Sequence, residues 1–181
     1  MKRFLSLFLA LTLFACCTFA SAAINPIVEV HDDDAFEDAL DIEVDVDDLF
    51  EKAPEMSIIS DKIGQIAFAT ENPDGDAVRW TLRFTRDEAF DGDVELFAGV
   101  YADDFVASDP FDYTYTDSDD DDDDDDDTIT FPVTQMTSEG ENTAVYFWNH
   151  RGTYYALTVA GNPSNMQFAE VFDSVMDVCF D

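Results

Sequence analysis

The sequence contains few positively charged residues. Eight Lys and Arg residues stand against 42 Asp and Glu residues, which gives a formal net charge of −34 at pH 7. A surface this acidic repels the phosphate backbone of nucleic acids and attracts cations and basic proteins. The charge therefore argues against nucleic-acid binding and predicts divalent cations or a basic protein as partners.

Long apolar runs are also absent beyond the first residues of the chain. Residues 1–22 begin with Lys2 and Arg3, continue into a short apolar run and end in small residues up to Ala22. This arrangement is typical of a secretory signal peptide. A transmembrane helix needs about 20 consecutive apolar residues, and no later stretch provides them. The sequence predicts a signal peptide at 1–22 and a secreted mature chain at 23–181 without a transmembrane segment.

Cysteine is scarce as well. Cys16 and Cys17 lie in the predicted signal peptide, so Cys179 remains alone and no intramolecular disulfide can form. Cys179 is expected to be a small buried apolar residue. Cys16 also allows a second interpretation, as the lipid-modified residue of a cell-envelope lipoprotein. Phe14 is bulkier than the residue that such signals usually carry there, so free secretion is favoured.

Sequence motifs of catalysis are missing too. The chain contains no G-x-S-x-G elbow, no phosphate-binding glycine loop and no cysteine–histidine nucleophile pattern. Carboxylate pairs are so numerous that none can be singled out as the pair of a glycosidase. The sequence predicts a non-enzymatic protein with no cofactor, and a hydrolase with unidentified carboxylates is the alternative.

Aromatic and β-branched residues are abundant in one late stretch. Residues 142–159 form two such runs around the polar break Asn149–Gly152. The glycine that ends the break permits the positive φ of a tight turn. Both faces of the two runs carry large apolar side chains. The stretch predicts a β-hairpin inside a sheet that another layer covers.

Alternation of apolar and polar residues predicts further strands. Val78, Trp80, Leu82 and Phe84 alternate with polar residues, so one face of that strand should lie in the core. Other predicted strands lie at 56–59, 65–70, 94–101 and 129–133, and the acid-rich residues 41–48 are predicted as an edge strand or an extended connector.

Helical periodicity occurs near both ends of the mature chain. Phe36, Ala39 and Leu40 form the apolar stripe of a short helix. Ser164 and Gln167 form a capping box ahead of a longer amphipathic pattern. The elements together predict a single α+β domain. It contains an antiparallel β-sheet of about five to seven strands, with a short N-terminal helix and a C-terminal amphipathic helix packed on it.

The most acidic segment is predicted as a disordered loop at 114–128. Adjacent aspartates repel one another, so the segment must be solvated. Clustered carboxylates suit Ca²⁺, and a run without a fixed cage predicts weak binding, on the order of the millimolar class. A solvated spacer is the favoured alternative. The candidate metal-ligating residues are Asp119, Asp120, Asp121, Asp122, Asp123, Asp124, Asp125, Asp126 and Asp127.

The few basic side chains offer weaker candidates. Arg79 and Arg83 project from one face of a predicted strand, with Arg86 just beyond it. They could bind an anionic group, but pairing with neighbouring carboxylates is the favoured interpretation. His31 lies beside three aspartates, yet one imidazole is weak evidence for zinc. His150 is expected to be exposed in the hairpin turn.

Four aromatic residues could form a surface that faces a carbohydrate or a peptide. They are Tyr113, Tyr115, Trp148 and Tyr154. Packing in the core or across neighbouring strands is the favoured use of these side chains.

Several of these segments together resemble a known family. Asn-Pro-Ile-Val-Glu-Val from Asn25 precedes the short acidic helix, and Ile-Gly-Gln-Ile-Ala-Phe begins at Ile63. A Trp-x-Leu-Arg strand from Trp80 and the late aromatic hairpin follow. Over Asn25 to about Asp177 this order resembles domain of unknown function 4367. The resemblance implies an exported or membrane-attached α+β domain of Gram-positive anaerobes, with the aspartate run as an insertion and no established activity.

The expected function is therefore a binding one. The sequence predicts an exported, non-enzymatic domain whose acidic surface binds cations or a basic partner. The alternative is an envelope-associated structural or stress-accessory module, tethered if Cys16 carries a lipid.

Overall fold

The computed structural model describes residues 27–46, 54–90, 97–116, 128–138 and 142–180. It confirms the predicted α+β class. The helices are α1 (Asp34–Leu40) and α2 (Asn165–Phe180). The strands are β1 (Ile27–Val30), β2 (Glu55–Ile59), β3 (Ile63–Glu71), β4 (Ala77–Thr85), β5 (Phe105–Ala107), β6 (Phe111–Thr116), β7 (Thr128–Ser138), β8 (Thr143–His150) and β9 (Thr153–Ala160).

All strand pairs within these residues are antiparallel. The order across the sheet is β1-β2-β3-β4-β9-β8-β7-β5, and β6 pairs with β7. The sheet has nine strands rather than the expected five to seven. The additional strands are short and lie at the sheet edges, where few positions face the core. Edge strands of this kind leave little hydrophobic alternation in the sequence.

One face of the sheet packs against α2 and forms the main core. Trp80, Leu82 and Leu157 are fully buried on this face. From the helix, Phe172 and Val175 pack into the same cluster. This packing explains the alternation in β4 and β9, because successive side chains of a strand point to opposite faces and every second one is buried in this layer. Burial of these large side chains is the main stabilising contribution to the fold.

The β8–β9 hairpin has a shorter turn than expected. Arg151 and Gly152 form it alone, with φ values of 49° and 87°, the left-handed values that two-residue hairpin turns need. Asn149 and His150 belong to β8, and His150 pairs with Thr153. The predicted four-residue break is therefore wrong in length.

The predicted strand at 94–101 is also wrong where it can be compared. Residues 94–96 lie outside the described residues, and residues 97–101 do not form a strand. Phe97 and Ala98 are instead buried in a second apolar cluster with Val145 and Ala156. They cover the face of the sheet opposite α2, so their apolar character reflects burial as a covering segment.

The bounds of the acidic loop differ from those predicted. Strand β6 extends to Thr116 and β7 begins at Thr128, and these two residues pair with each other. The predicted loop at 114–128 is thus too long at both ends. Residues 117–127, which include the nine candidate aspartates, lie outside the described residues.

Candidate functional site

A surface cleft near the N-terminal end of α1 is lined mainly by acidic residues. Its volume is about 320 Å³. One wall comes from the start of α1 and the other from the extended connector that follows the helix. Among the described residues, every charged side chain that lines it is acidic. The lining residues are Asp33, Asp34, Glu37, Glu43, Val44 and Asp45.

Local sequence rules position the helical wall. The Asp33 side chain accepts a hydrogen bond from the Asp34 backbone N–H at 3.0 Å, and Asp32 accepts one from the Ala35 N–H at 3.2 Å. Carboxylates are favoured there because they compensate free N–H groups and the positive end of the helix dipole. Phe36 is fully buried and packs edge-on against Phe84, with ring centroids 5.0 Å apart. The helix therefore keeps its acidic face towards the cleft.

Alternation in the connector positions the other wall. Ile42, Val44 and Val46 are buried, while Glu43 and Asp45 are exposed between them. The predicted segment 41–48 is accordingly an extended connector over residues 42–46, and residues 47 and 48 lie outside the described residues. The apolar side chains anchor this segment to the core, so the carboxylates point outwards.

Ion pairs among the described residues include two that lie away from the cleft. These two pairs are Lys62 with Asp87 at 2.6 Å and Arg86 with Asp41. The Lys62 ammonium group donates a hydrogen bond that lowers the pKa of Asp87. Both pairs lie at the surface, where such contacts contribute little to the stability of a fold.

The three arginines have separate environments. Arg86 pairs with Asp41, as the favoured interpretation predicted. Arg83 is partly buried and donates to the side chain of Gln65 at 2.9 Å and to the Phe97 carbonyl at 3.0 Å, and burial lowers the pKa of Arg83. Arg79 is exposed. Arg83 thus holds the covering segment at Phe97 onto the sheet.

The two histidines have separate environments. His31 is exposed just after β1. His150 is half-buried, and its ring lies edge-on to Phe180 with centroids 4.2 Å apart, so its predicted exposure is wrong. Burial and the nearby Arg151 lower the pKa of His150. In the described ranges, no group of three or more His, Cys, Asp or Glu side chains is arranged to hold a metal ion.

Three of the candidate aromatic residues pack on the helix side of the sheet. Trp148 is only 4% exposed and stacks on Tyr155 at 5.3 Å. Tyr113 donates a hydrogen bond to Asp173 of α2, and Tyr115 is stacked on Phe180 at 5.2 Å. The fourth, Tyr154, packs against the second apolar cluster on the opposite face. These contacts match the favoured interpretation of core and cross-strand packing.

The amino-acid sequence did not predict the cleft as a site. The acidic start of α1 and the alternating connector are separate features of the sequence, and only the tertiary structure brings Asp34 and Glu43 to one cleft. The nine aspartates from Asp119 to Asp127 lie outside the described residues, so their weak binding of Ca²⁺ stays a prediction.

Comparison with known proteins returned no match: no family model, no curated protein and no solved structure resembles the chain closely enough to be reported. The resemblance to domain of unknown function 4367 therefore stays a prediction. Among the described residues, no helix has the length and apolar content needed to cross a membrane.

Proposed function

We propose that this protein is an exported, non-enzymatic domain that binds positively charged groups, either a basic partner or cations, through its acidic surface. The observation that carries the proposal is the cleft lined by Asp33, Asp34, Glu37, Glu43 and Asp45, the charged residues that the structure describes there. The negative electrostatic potentials of carboxylates within one cleft add together, and the concave wall strengthens the electric field there. A ligand with several positive charges gains from all of them at once.

The charge of the whole chain also favours positively charged ligands. The chain carries a formal net charge of −34 at pH 7, and Lys62 and Arg86 are engaged by Asp87 and Asp41. Long-range attraction therefore brings cationic ligands to the surface, and the cleft offers a defined place for them. Because exposed charges are screened within about 8 Å at physiological ionic strength, binding should weaken as salt is added.

The experiment measures binding of tetralysine and of CaCl₂ by calorimetry, at low salt and at about 0.15 M NaCl. One variant neutralises the cleft through Asp34→Asn, Glu37→Gln and Glu43→Gln. Its matched control removes the same charge at exposed sites elsewhere, and those changes are Asp76→Asn, Asp109→Asn and Glu170→Gln. A third protein lacks residues 119–127.

We expect the cleft variant to lose about tenfold in affinity for tetralysine and the matched control to lose much less. Equal losses would show that only net charge matters and that the cleft is not the site. If CaCl₂ raises the midpoint of thermal unfolding beyond NaCl of equal ionic strength, and removal of residues 119–127 abolishes that excess, the aspartate run binds the ion. Coinciding curves would identify the run as a solvated spacer.

A further inference from the structure

Strand β1 leaves one edge of the sheet open to another chain. Within the described residues it pairs only with β2. Ile27 is 66% exposed and Val28 is 47% exposed. An edge strand presents a row of unpaired backbone N–H and C=O groups, which can pair with a further strand.

The opposite edge is built differently. Strand β5 has only three residues. After it, the three residues Ser108–Pro110 lie opposite only two residues of β7, Thr134 and Gln135. This extra residue is a β-bulge, which together with proline protects an edge from further pairing. The sequence Ile-Val-Glu-Val of β1 contains neither proline nor lysine. Strand β1 is thus better suited to strand addition than β5.

Charge decides which chain can occupy that edge. Glu29 lies within β1, and Asp33 of the acidic cleft follows Val30 by three residues, which spans at most about 11 Å. A second copy of this protein would place the same carboxylates opposite one another, and like charges across strands are destabilising. A strand carrying lysine or arginine would instead meet opposite charge at Glu29 and beyond Val30.

We propose that β1 binds a basic, extended segment of a partner protein as an added tenth strand of the sheet. Backbone hydrogen bonds contribute the part of the affinity that does not depend on the partner's sequence, as in other cases of strand addition. Alternating side chains supply the selectivity, with apolar groups beside Val28 and basic groups beside Glu29. Basic residues that continue past Val30 enter the cleft. The inference rests on the proposed function, since the carboxylates of the cleft select the partner.

The test uses a fluorescent peptide of four Lys-Val repeats and measures its binding to the purified protein by anisotropy. A second peptide has the same sequence but an N-methyl group on every residue, which keeps the charge and removes the N–H donors from both edges. We expect the unmodified peptide to bind at least about tenfold more tightly. Amide hydrogen exchange at residues 27–30 should slow when it binds.

A pair of protein variants locates the site. Val28→Lys places a charge on β1, and Val106→Lys is the matched control on β5, where the valine is similarly exposed at 53%. Both variants change the net charge equally. Binding of the unmodified peptide should fall about tenfold in the first variant and stay close to that of the unaltered protein in the second.

Each other outcome overturns the inference in a recognisable way. If the two peptides bind equally and the cleft variant weakens both, strand addition is wrong while the proposed function stands. If neither peptide binds, the proposed function fails as well. If the protein is dimeric in light scattering and Val28→Lys makes it monomeric, the edge is occupied by a second copy. The peptide comparison needs no variant, so poor folding of Val28→Lys leaves the test intact.

Discussion

The β8–β9 hairpin turns through Arg151 and Gly152 alone, whereas β6 and β7 are joined by the eleven residues 117–127, ten of which are aspartate. The first hairpin lies in the middle of the sheet, where Val145 and Leu157 are fully buried on opposite faces. Because side chains on both faces of this hairpin are buried away from water, charged residues there would be destabilising. The hydrophobic pattern and the short turn therefore both reflect a central position.

The β6–β7 hairpin lies at the edge and has only one buried face. Tyr113 packs edge-on against Phe172 at 4.8 Å, and its hydroxyl reaches Asp173, while the Tyr115 hydroxyl donates to Asp177 at 3.0 Å. Thr114 on the other face is exposed. An edge hairpin with a solvated side can accept an acidic connection that a central hairpin could not. The comparison shows that position in the sheet determines how much charge a hairpin can carry.

The largest effect should come from matched truncations in the two hairpins. Leu157→Ala in β9 removes a fully buried side chain and should lower the free energy of unfolding by about 2–5 kcal/mol. Ile129→Ala in β7 removes a half-buried one and should cost about 1–2 kcal/mol. Urea-induced unfolding followed by tryptophan fluorescence measures both. Equal losses would contradict the proposed difference between the hairpins.

A smaller effect should follow from Tyr113→Phe, which keeps the ring and removes the hydroxyl that donates to Asp173. The expected loss is about 1 kcal/mol, concentrated in faster amide exchange of β6 while β8 is unchanged. Burial and the Asp173 carboxylate raise the pKa of Tyr113, so folding favours the neutral phenol. This contribution is present below pH about 10, the ordinary tyrosine pKa, and is lost as the pH rises above it.

The control for this change is Tyr101→Phe, because Tyr101 is 74% exposed. Removal of this exposed hydroxyl should leave the free energy of unfolding unchanged. If Tyr113→Phe and Tyr101→Phe behave alike up to pH about 11, the tyrosine does not hold the edge hairpin to α2.

The smallest effect should appear at the end of the central hairpin. Burial and Arg151 lower the pKa of His150, so folding favours the neutral imidazole. The stability from this preference is present above the unfolded pKa, about 6.5, and is lost as the pH falls through the lower folded value. On acidification, His150→Gln should therefore lose less stability than the unaltered protein. Thermal unfolding from pH 8 to pH 5 compares the two proteins, and equal losses would contradict this role of His150.

Much of the central sheet was predictable because its signals are local. The alternation around Trp80 and the aromatic runs about Gly152 each report one strand and its buried face. The edges were not predictable in the same way. Strand β6 carries Tyr113 and Tyr115 within a segment that ends in acidic residues, and its strand character depends on pairing with β7 and contact with α2.

The candidate site shows the same division. The sequence predicted an acidic helix start at Asp34 and an alternating connector with Glu43, which are local features. It predicted no cleft, because the joining of the two depends on Phe36 packing against Phe84, far along the chain. The acidic charge of the chain was evident from its composition, but the grouping of carboxylates in one cleft was not.

The sequence by itself determined the acidic character, the α+β class, the central hairpin and the start of α2 at Ser164, whose hydroxyl accepts from the Gln167 N–H at 3.1 Å. Each depends on neighbours within a few residues. Tertiary structure alone decided that the Gln167 side chain leaves the capping box to donate to Thr70 and to the Glu71 carbonyl. It also decided that Phe97 covers a sheet face. Such contacts join residues distant in sequence, and only the folded chain brings them together.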